Sequence, residues 1–183
     1  MLDKIIESRR SIRKFKSTKP DWRTIIECID SMRFAPMAGN NFSLKIILVD
    51  DPEKIAKIGE ASEQDFVGKV HYIVVVCSDK KLATLSYEER GEGYLKQQAG
   101  AAIQNLLLKL TESGLSTCWI GHFYNEKIKH ILRIPSEITV EALFPIGYAF
   151  EKPKKIRKID LDYVLYFNEY KNKKMVPKNK LDV

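Results

Sequence analysis

The sequence has no apolar run near the roughly 18 residues that a bilayer span requires. Its first fifteen residues, MLDKIIESRRSIRKF, carry charge every few positions where a secretory leader would be apolar. Neither a membrane span nor a cleaved leader is expected, and a cytoplasmic location is. Cysteine is scarce: Cys28, Cys77 and Cys118 are odd in number, widely spaced and set among apolar neighbours. That pattern suits neither a disulfide framework nor a metal knuckle, so three buried thiols and no metal are expected. No GxGxxG follows a predicted strand, and the Gly91 and Gly93 pair precedes a helix with no strand before it, which disfavours a Rossmann domain. The absence of a Walker A loop likewise removes the usual triphosphate cradle. Of the three histidines, His71 opens a strand and reads as a packed or edge residue, while His130 lies on the polar side of an amphipathic helix. Only His122 is kept as a site residue, chiefly for its backbone.

What is present points to one domain. The chain has 183 residues, 44% of them hydrophobic, enough for a single core and short for two. The net charge of +7 raises the question of a polyanion partner. Basic residues, however, gather at 9–19, at 152–158 and in the last dozen positions, and the middle of the chain is mixed in sign. That distribution fits one phosphate site plus a solvated end better than a continuous nucleic-acid stripe. A basic nucleic-acid-binding protein without chemistry is the rival reading, and it predicts affinity that falls steeply with salt.

Periodicity predicts a short helix over 3–8 and another after Pro20, where Trp22, Ile25, Ile26, Ile29 and Met32 recur at helical spacing. Pro36, Gly39 and the Asn40-Asn41 pair break the pattern into a loop over 33–43. Residues 45–49 read as a strand, 52–60 as a helix and 71–77 as a β-branched buried strand. The longest helix spans 93–113, stops at Gly114, and carries small residues Ala99 to Ala102 that suit close approach of another helix. A short strand at 116–120, a helix capped by Asn125 and running to Leu132, and a strand over 141–150 follow. The last apolar segment, Tyr163 to Phe167, is expected to be a strand. The irregular alternation of elements favours an α+β fold with a mixed sheet. One domain over 1–170 is expected, with a basic, mobile tail at 171–183.

Ser8 to Phe15 is the stretch richest in chemistry. Arg9, Arg10 and Arg13 with Ser11 fall where a helix gives way to extended chain, and guanidinium groups bind phosphate oxygens bidentately. A solvated basic turn would have the same composition. Cys118 beside Trp119 has no basic neighbour to activate it, and Glu88, Glu89 and Glu92 form a charged helix start rather than an acid/base pair.

In order and spacing these motifs resemble the nitroreductase family of flavin mononucleotide (FMN) enzymes, from Ile5 to about Tyr170. The family's Arg-Arg-Ser-x-Arg motif is matched by Arg9, Arg10, Ser11 and Arg13. Its Ala-Pro-Ser-x-x-Asn-x-Gln-Pro-Trp loop corresponds to Ala35, Pro36, Met37, Ala38, Gly39, Asn40, Asn41, Phe42, Ser43 and Leu44. Phe42, Ser43 and Leu44 replace the glutamine and the Pro-Trp pair, a departure on the substrate side of the pocket. Gly114 to Phe123 (GLSTCWIGHF) follows the family's Gly-Leu-Gly-Thr-x-Trp-x-Gly, and Lys155 with Arg157 takes the place of a late basic pair.

The resemblance implies a three-layer fold, a mixed and mainly antiparallel sheet flanked by helices, in an intertwined homodimer. It implies FMN held at the subunit interface. Arg9, Arg10, Ser11, Arg13, Lys155 and Arg157 would lie at the phosphate and ribityl end, and the backbone of Ile120, Gly121 and His122 near the ring. Pro36, Met37, Ala38, Asn40 and Phe42 would reach the flavin of the other subunit. It further implies ping-pong transfer from NAD(P)H to a small acceptor such as a nitroaromatic, quinone or flavin, with no catalytic side chain. Flavin destruction, reductive dehalogenation or flavin carriage on the same fold are the alternatives, left open by Phe42-Ser43-Leu44.

Overall fold

The computed structural model describes residues 2–81, 87–150 and 157–175, and the chain divides into two units, Met1–Pro153 and Lys154–Val183. The first unit runs α1 (Leu2–Ser8), α2 (Trp22–Asp30), β1 (Leu44–Val49), α3 (Pro52–Ala61), β2 (Tyr72–Asp79), α4 (Arg90–Glu112), β3 (Ser116–Thr117), α5 (Asn125–Leu132) and β4 (Ile138–Gly147).

Local chemistry sets the helix ends. The Asp21 carboxylate accepts the Arg23 N–H at the start of α2, and Asp51 accepts the N–H groups of Glu53 and Lys54 at the start of α3, with Pro52 in the first turn. Gly114, at φ +73°, ends α4, and the Leu115 N–H turns back to the Leu110 carbonyl at 2.8 Å. Asn125 is the first helical residue of α5 rather than its cap; Tyr124 holds the cap position. The stripe on α2 is also rotated from expectation: Ile25, Cys28 and, beyond the helix, Met32 are buried, whereas Trp22 and Ile26 stay exposed.

The four strands pair in the order β1-β2-β4-β3, each antiparallel to its neighbour. The parallel contribution to the mixed sheet is a single bridge between Ser11 and Thr117. Along β2 the side chains alternate between two cores. Tyr72, Val74 and Val76 join Ile25, Met32, Ala102, Leu106 and Phe144 beneath α2 and α4. Ile73, Val75 and Cys77 join Ile55, Ile58, Ile120 and Ile128 beneath α3 and α5. The result is helix, sheet and helix in three layers. Burial in this second core pushes the Cys77 thiol up to about 11, and all three cysteines are free and buried.

Strand β3 is two residues long for a definite reason. Leu143 exchanges two backbone hydrogen bonds with Ile120, each 3.0 Å, so alternate residues of β4 direct their N–H groups toward β3. Two positions on, that place belongs to Pro145, which has no N–H to give. The ladder therefore lapses opposite Cys118 and Trp119 and resumes at Ile120.

In the second unit, Tyr163 to Phe167 is not the strand that its apolar character suggested. A short helix, α6 (Leu161–Val164), leads into a chain reversal in which Phe167 donates to the Asn172 carbonyl at 2.9 Å. The Lys173 ammonium donates to the carbonyls of Asp162 and Leu165, which occupies backbone acceptors that a strand ladder would need. Residues 176–183 of the expected tail lie outside the described residues.

Candidate functional site

Arg9 to Arg13 is pinned to the sheet edge. The Ile12 N–H donates to the Thr117 carbonyl at 3.0 Å and Ile12 itself is buried, so its neighbours Ser11 and Arg13 are turned outward by the alternation of extended chain. Further along, Lys16 donates to Tyr148 and Phe150 donates to Lys14, which continues the anchoring past the end of β4. The three arginines then part in role. Arg10 donates to the carbonyls of Glu7 and Arg9, at 2.5 and 2.8 Å, and so closes the end of α1. Arg9 and Arg13 have no hydrogen-bonded or ionic side-chain partner among the described residues.

Ser8, Arg9, Arg10 and Thr117 line a cavity of about 160 Å³ whose inner wall is Leu107, Leu110 and Leu115. The Thr117 hydroxyl there is buried, the residue being 6% exposed, and it has no hydrogen-bond partner among the described residues. A buried hydroxyl left unpaired costs on the order of 1–3 kcal/mol, so a ligand oxygen or a water at this spot would relieve it. Sequence reasoning quoted Thr117 inside a motif and did not single it out. Its signal is positional, opposite Ser11, and appears only once the bridge forms.

The edge after the lapse in β3 carries Ile120, Gly121 and His122. Ile120 is buried and bonded to β4; Gly121 and His122 are exposed, and their N–H groups have no partner among the described residues. The His122 Nε2 lies 3.2 Å from Oε2 of Glu63, and the Tyr124 hydroxyl donates to the other oxygen of Glu63 at 2.9 Å. The bond from His122, then that from Tyr124, holds the Glu63 carboxyl below the usual carboxylate range, while the same carboxylate raises the Tyr124 phenol. Glu63 and Tyr124 are site neighbours that sequence reasoning missed, because 59 residues separate Glu63 from His122 and only the packing of α3 on α5 joins them.

The loop Pro36 to Phe42 lies elsewhere. Gly39 and Asn40 adopt left-handed φ of 58° and 55°, as their residue types allow, and a Cβ on Gly39 would stand 2.7 Å from the Tyr87 hydroxyl. Met37 and Phe42 pack on the α2/α4 core, Ala38 is half-buried, and Pro36 and Asn40 are exposed. The loop feeds β1 at Leu44, which pairs with Ser78, whereas Thr117 is level with Ile146 and Tyr72. Six residues along β2 and three strand spacings across put the loop on the order of 20 Å from the Ser11 bridge. One chain thus sets Arg9 in one cavity with Thr117 and bridges Ser11 to Thr117, with Ile120 to His122 on the same edge; Arg13 lines a separate recess with Phe15 and Phe66, and Pro36 to Phe42 are held away.

Of the late basic pair, Lys155 lies outside the described residues. Arg157 is exposed and pairs with Asp160 at 3.2 Å within the second unit.

An antiparallel sheet between two helical layers, with guanidinium groups beside its broken edge that have no partner among the described residues, defines a three-layer α+β protein. The nitroreductase family model matches residues 6–66 and 60–148, and the chain belongs to that family. It is similar to an Archaeoglobus fulgidus protein provisionally named NADH dehydrogenase/NAD(P)H nitroreductase, 29% identical over 150 residues that cover 79% of this chain and 83% of the other. It is also similar to the iodotyrosine deiodinase of Thermotoga neapolitana, 26% identical over 171 residues and covering 84% and 92%. Among solved structures, an FMN-dependent nitroreductase from Clostridium difficile R20291 superposes with a TM-score of 0.78 at 25% identity, covering 91% of this chain and 98% of that one. Among the described residues no helix is long and apolar enough to cross a membrane.

Proposed function

We propose that this chain is an FMN-dependent oxidoreductase that takes electrons from NAD(P)H and passes them to a small acceptor, in two alternating half-reactions. The observation that carries the reading is the pair Arg9 and Arg13. Two guanidinium groups without partners among the described residues flank an outward Ser11, which bridges to Thr117, whose buried hydroxyl also lacks a partner there. Such a set fits a phosphate monoester: bidentate arginine bonds, a neutral hydroxyl bond and relief of an orphaned donor. The FMN-dependent relative and the NAD(P)H-named one support the choice of anion and of electron source.

In this reading Arg9, Ser11 and Arg13 hold the phosphate, and Arg10 keeps α1 in place to present them. The exposed N–H groups of Gly121 and His122 are donors for the ring, which, when bound, supplies hydride acceptance and release. Pro36, Met37, Ala38, Asn40 and Phe42 are proposed to act on a second copy of the chain, in a homodimer. Their distance from the Ser11 bridge within one chain supports that assignment. Gly93 and Gly100, a helical repeat apart on α4, face open space and leave a smooth strip for the partner helix. Residues 1–170 would form the cofactor-binding domain of each copy and 171–183 its basic tail.

The test is a visible spectrum of the purified protein, before and after anaerobic NADH or NADPH. A flavin spectrum that bleaches is expected; a protein that is colourless and takes up no added FMN would overturn the proposal. The Thermotoga relative favours a second reading, reductive dehalogenation, with Phe42-Ser43-Leu44 in place of the family's usual segment. Release of iodide from iodotyrosine by the reduced protein would select it.

A further inference from the structure

We propose that His122, positioned by Glu63 and Tyr124, supplies the proton that a two-electron acceptor needs as it is reduced. The proposal rests on the reading that Ile120 to His122 face the flavin, and adds to it a protein group for the acceptor's half-reaction.

Glu63 sits at φ +53°, a left-handed backbone that a side chain with Cβ adopts at a cost of about 1 kcal/mol or more. That conformation ends α3 in a Schellman turn, the Glu63 N–H donating to the Glu60 carbonyl at 3.2 Å and the Gln64 N–H to the Gly59 carbonyl at 3.4 Å. His122 and Glu63 have side chains 77% and 53% exposed, and ion pairs in water contribute little to stability. The turn also sends the carboxylate across to a different segment, where it meets the imidazole at 3.2 Å and the phenol at 2.9 Å. The backbone staples the same two segments, since the Tyr124 N–H donates to the Ala61 carbonyl at 2.8 Å. Among the described residues Lys127 also faces the cluster, its ammonium 4.6 Å from the centre of the Tyr124 ring. A carboxylate, oriented by a phenol and bonded to one nitrogen of an exposed imidazole, fixes the orientation of the ring and leaves its other nitrogen free to face a substrate.

The chemistry balances. A quinone that receives a hydride becomes an oxyanion one proton short of a hydroquinone. Imidazolium Nδ1–H, the nitrogen not engaged by Glu63, gives that proton: the N–H bond breaks as the O–H bond forms, and the neutral ring keeps its Nε2 proton toward Glu63. Because the ring is exposed, water recharges it before the next turnover. General-acid assistance of this kind is worth about 100-fold or more in favourable cases.

Stopped-flow measurement of the two half-reactions, with NADH and then with benzoquinone, tests this across a range of pH. His122→Gln is expected to lower the ratio of acceptor reduction to flavin reduction by at least about tenfold and to flatten its pH profile. Glu63→Gln should give a smaller loss, partly recovered in Glu63→Asp. A ratio and a pH profile unchanged in His122→Gln would overturn the proposal. A readout independent of flavin is carbon NMR titration of the Glu63 carboxyl in the apoprotein. It should titrate below the ordinary range and move up in His122→Gln; a carboxyl that does not respond also overturns it. Protein that takes up no flavin would bring down the parent reading and this one together, whereas flavin uptake with an unchanged ratio sinks this one alone.

Discussion

The centre of the sheet and its β3 edge are built on opposite principles. Every residue of β2 from Tyr72 to Ser78 is buried, its backbone is paired on both sides, and its two faces feed two apolar cores. The edge has two paired residues, a lapse at Pro145, a half-exposed Trp119 and, among the described residues, a buried hydroxyl without a partner and the unpaired Arg9 and Arg13 on the segment that bridges to it. Interior strands spend their chemistry on packing, and the ladder leaves no polar group spare. An interrupted edge keeps donors and hydroxyls in reserve, and in the proposed reading FMN is what satisfies them.

That contrast can be broken most forcefully from the centre. Phe144→Ala, at a site with no exposure in the α2/α4 core, should destabilise the fold by about 3–5 kcal/mol in denaturant unfolding. A much smaller loss would mean the centre is less committed to packing than its burial implies. At the edge, replacing Arg9 and Arg13 together by alanine should weaken FMN binding on the order of a hundredfold in a fluorescence titration while the unfolding midpoint barely moves. Unaltered affinity would remove the phosphate assignment.

Thr117→Val separates the two regions more finely. Losing an unpaired buried hydroxyl should leave the apoprotein equally stable or more stable, by up to about 1 kcal/mol, yet reduce FMN affinity severalfold. If stability drops instead, the hydroxyl already has a partner in solution. The smallest effect is expected at Asp51, which caps the start of α3, the end opposite Glu63. The N–H groups of Lys54 and Glu53 hold the Asp51 carboxyl below its ordinary value. Its contribution is complete above about pH 4 and is lost as the pH falls through the lower folded value. Melting temperatures of wild type and Asp51→Asn should therefore converge in acid and differ slightly near neutrality.

Where physics is local, the sequence was readable. Hydrophobic periodicity located α4, the β-branched run marked β2, and Gly39-Asn40 and Gly114 announced the left-handed turns that the structure contains. Failures came where distant segments compete. Trp22 and Ile26 fit the helical stripe with Ile25 and Met32, but the core takes Cys28 beside those two instead. Tyr163 to Phe167 has strand composition, yet Lys173 claims the carbonyls. For the site, arginine composition alone could not separate Arg10, which caps its own helix, from Arg9 and Arg13. That difference is made by the bond from Ile12 to Thr117, across 105 residues of chain, and no window of sequence contains it.

The separation of Pro36 to Phe42 from the Ser11 bridge has a genetic corollary. In the proposed dimer, a lesion in the loop and a lesion in the arginines damage different halves of each shared pocket. Co-expressed, two such defective chains would pair to leave one pocket in the mixed species wholly intact, so activity absent from either mutant alone would return in the mixture.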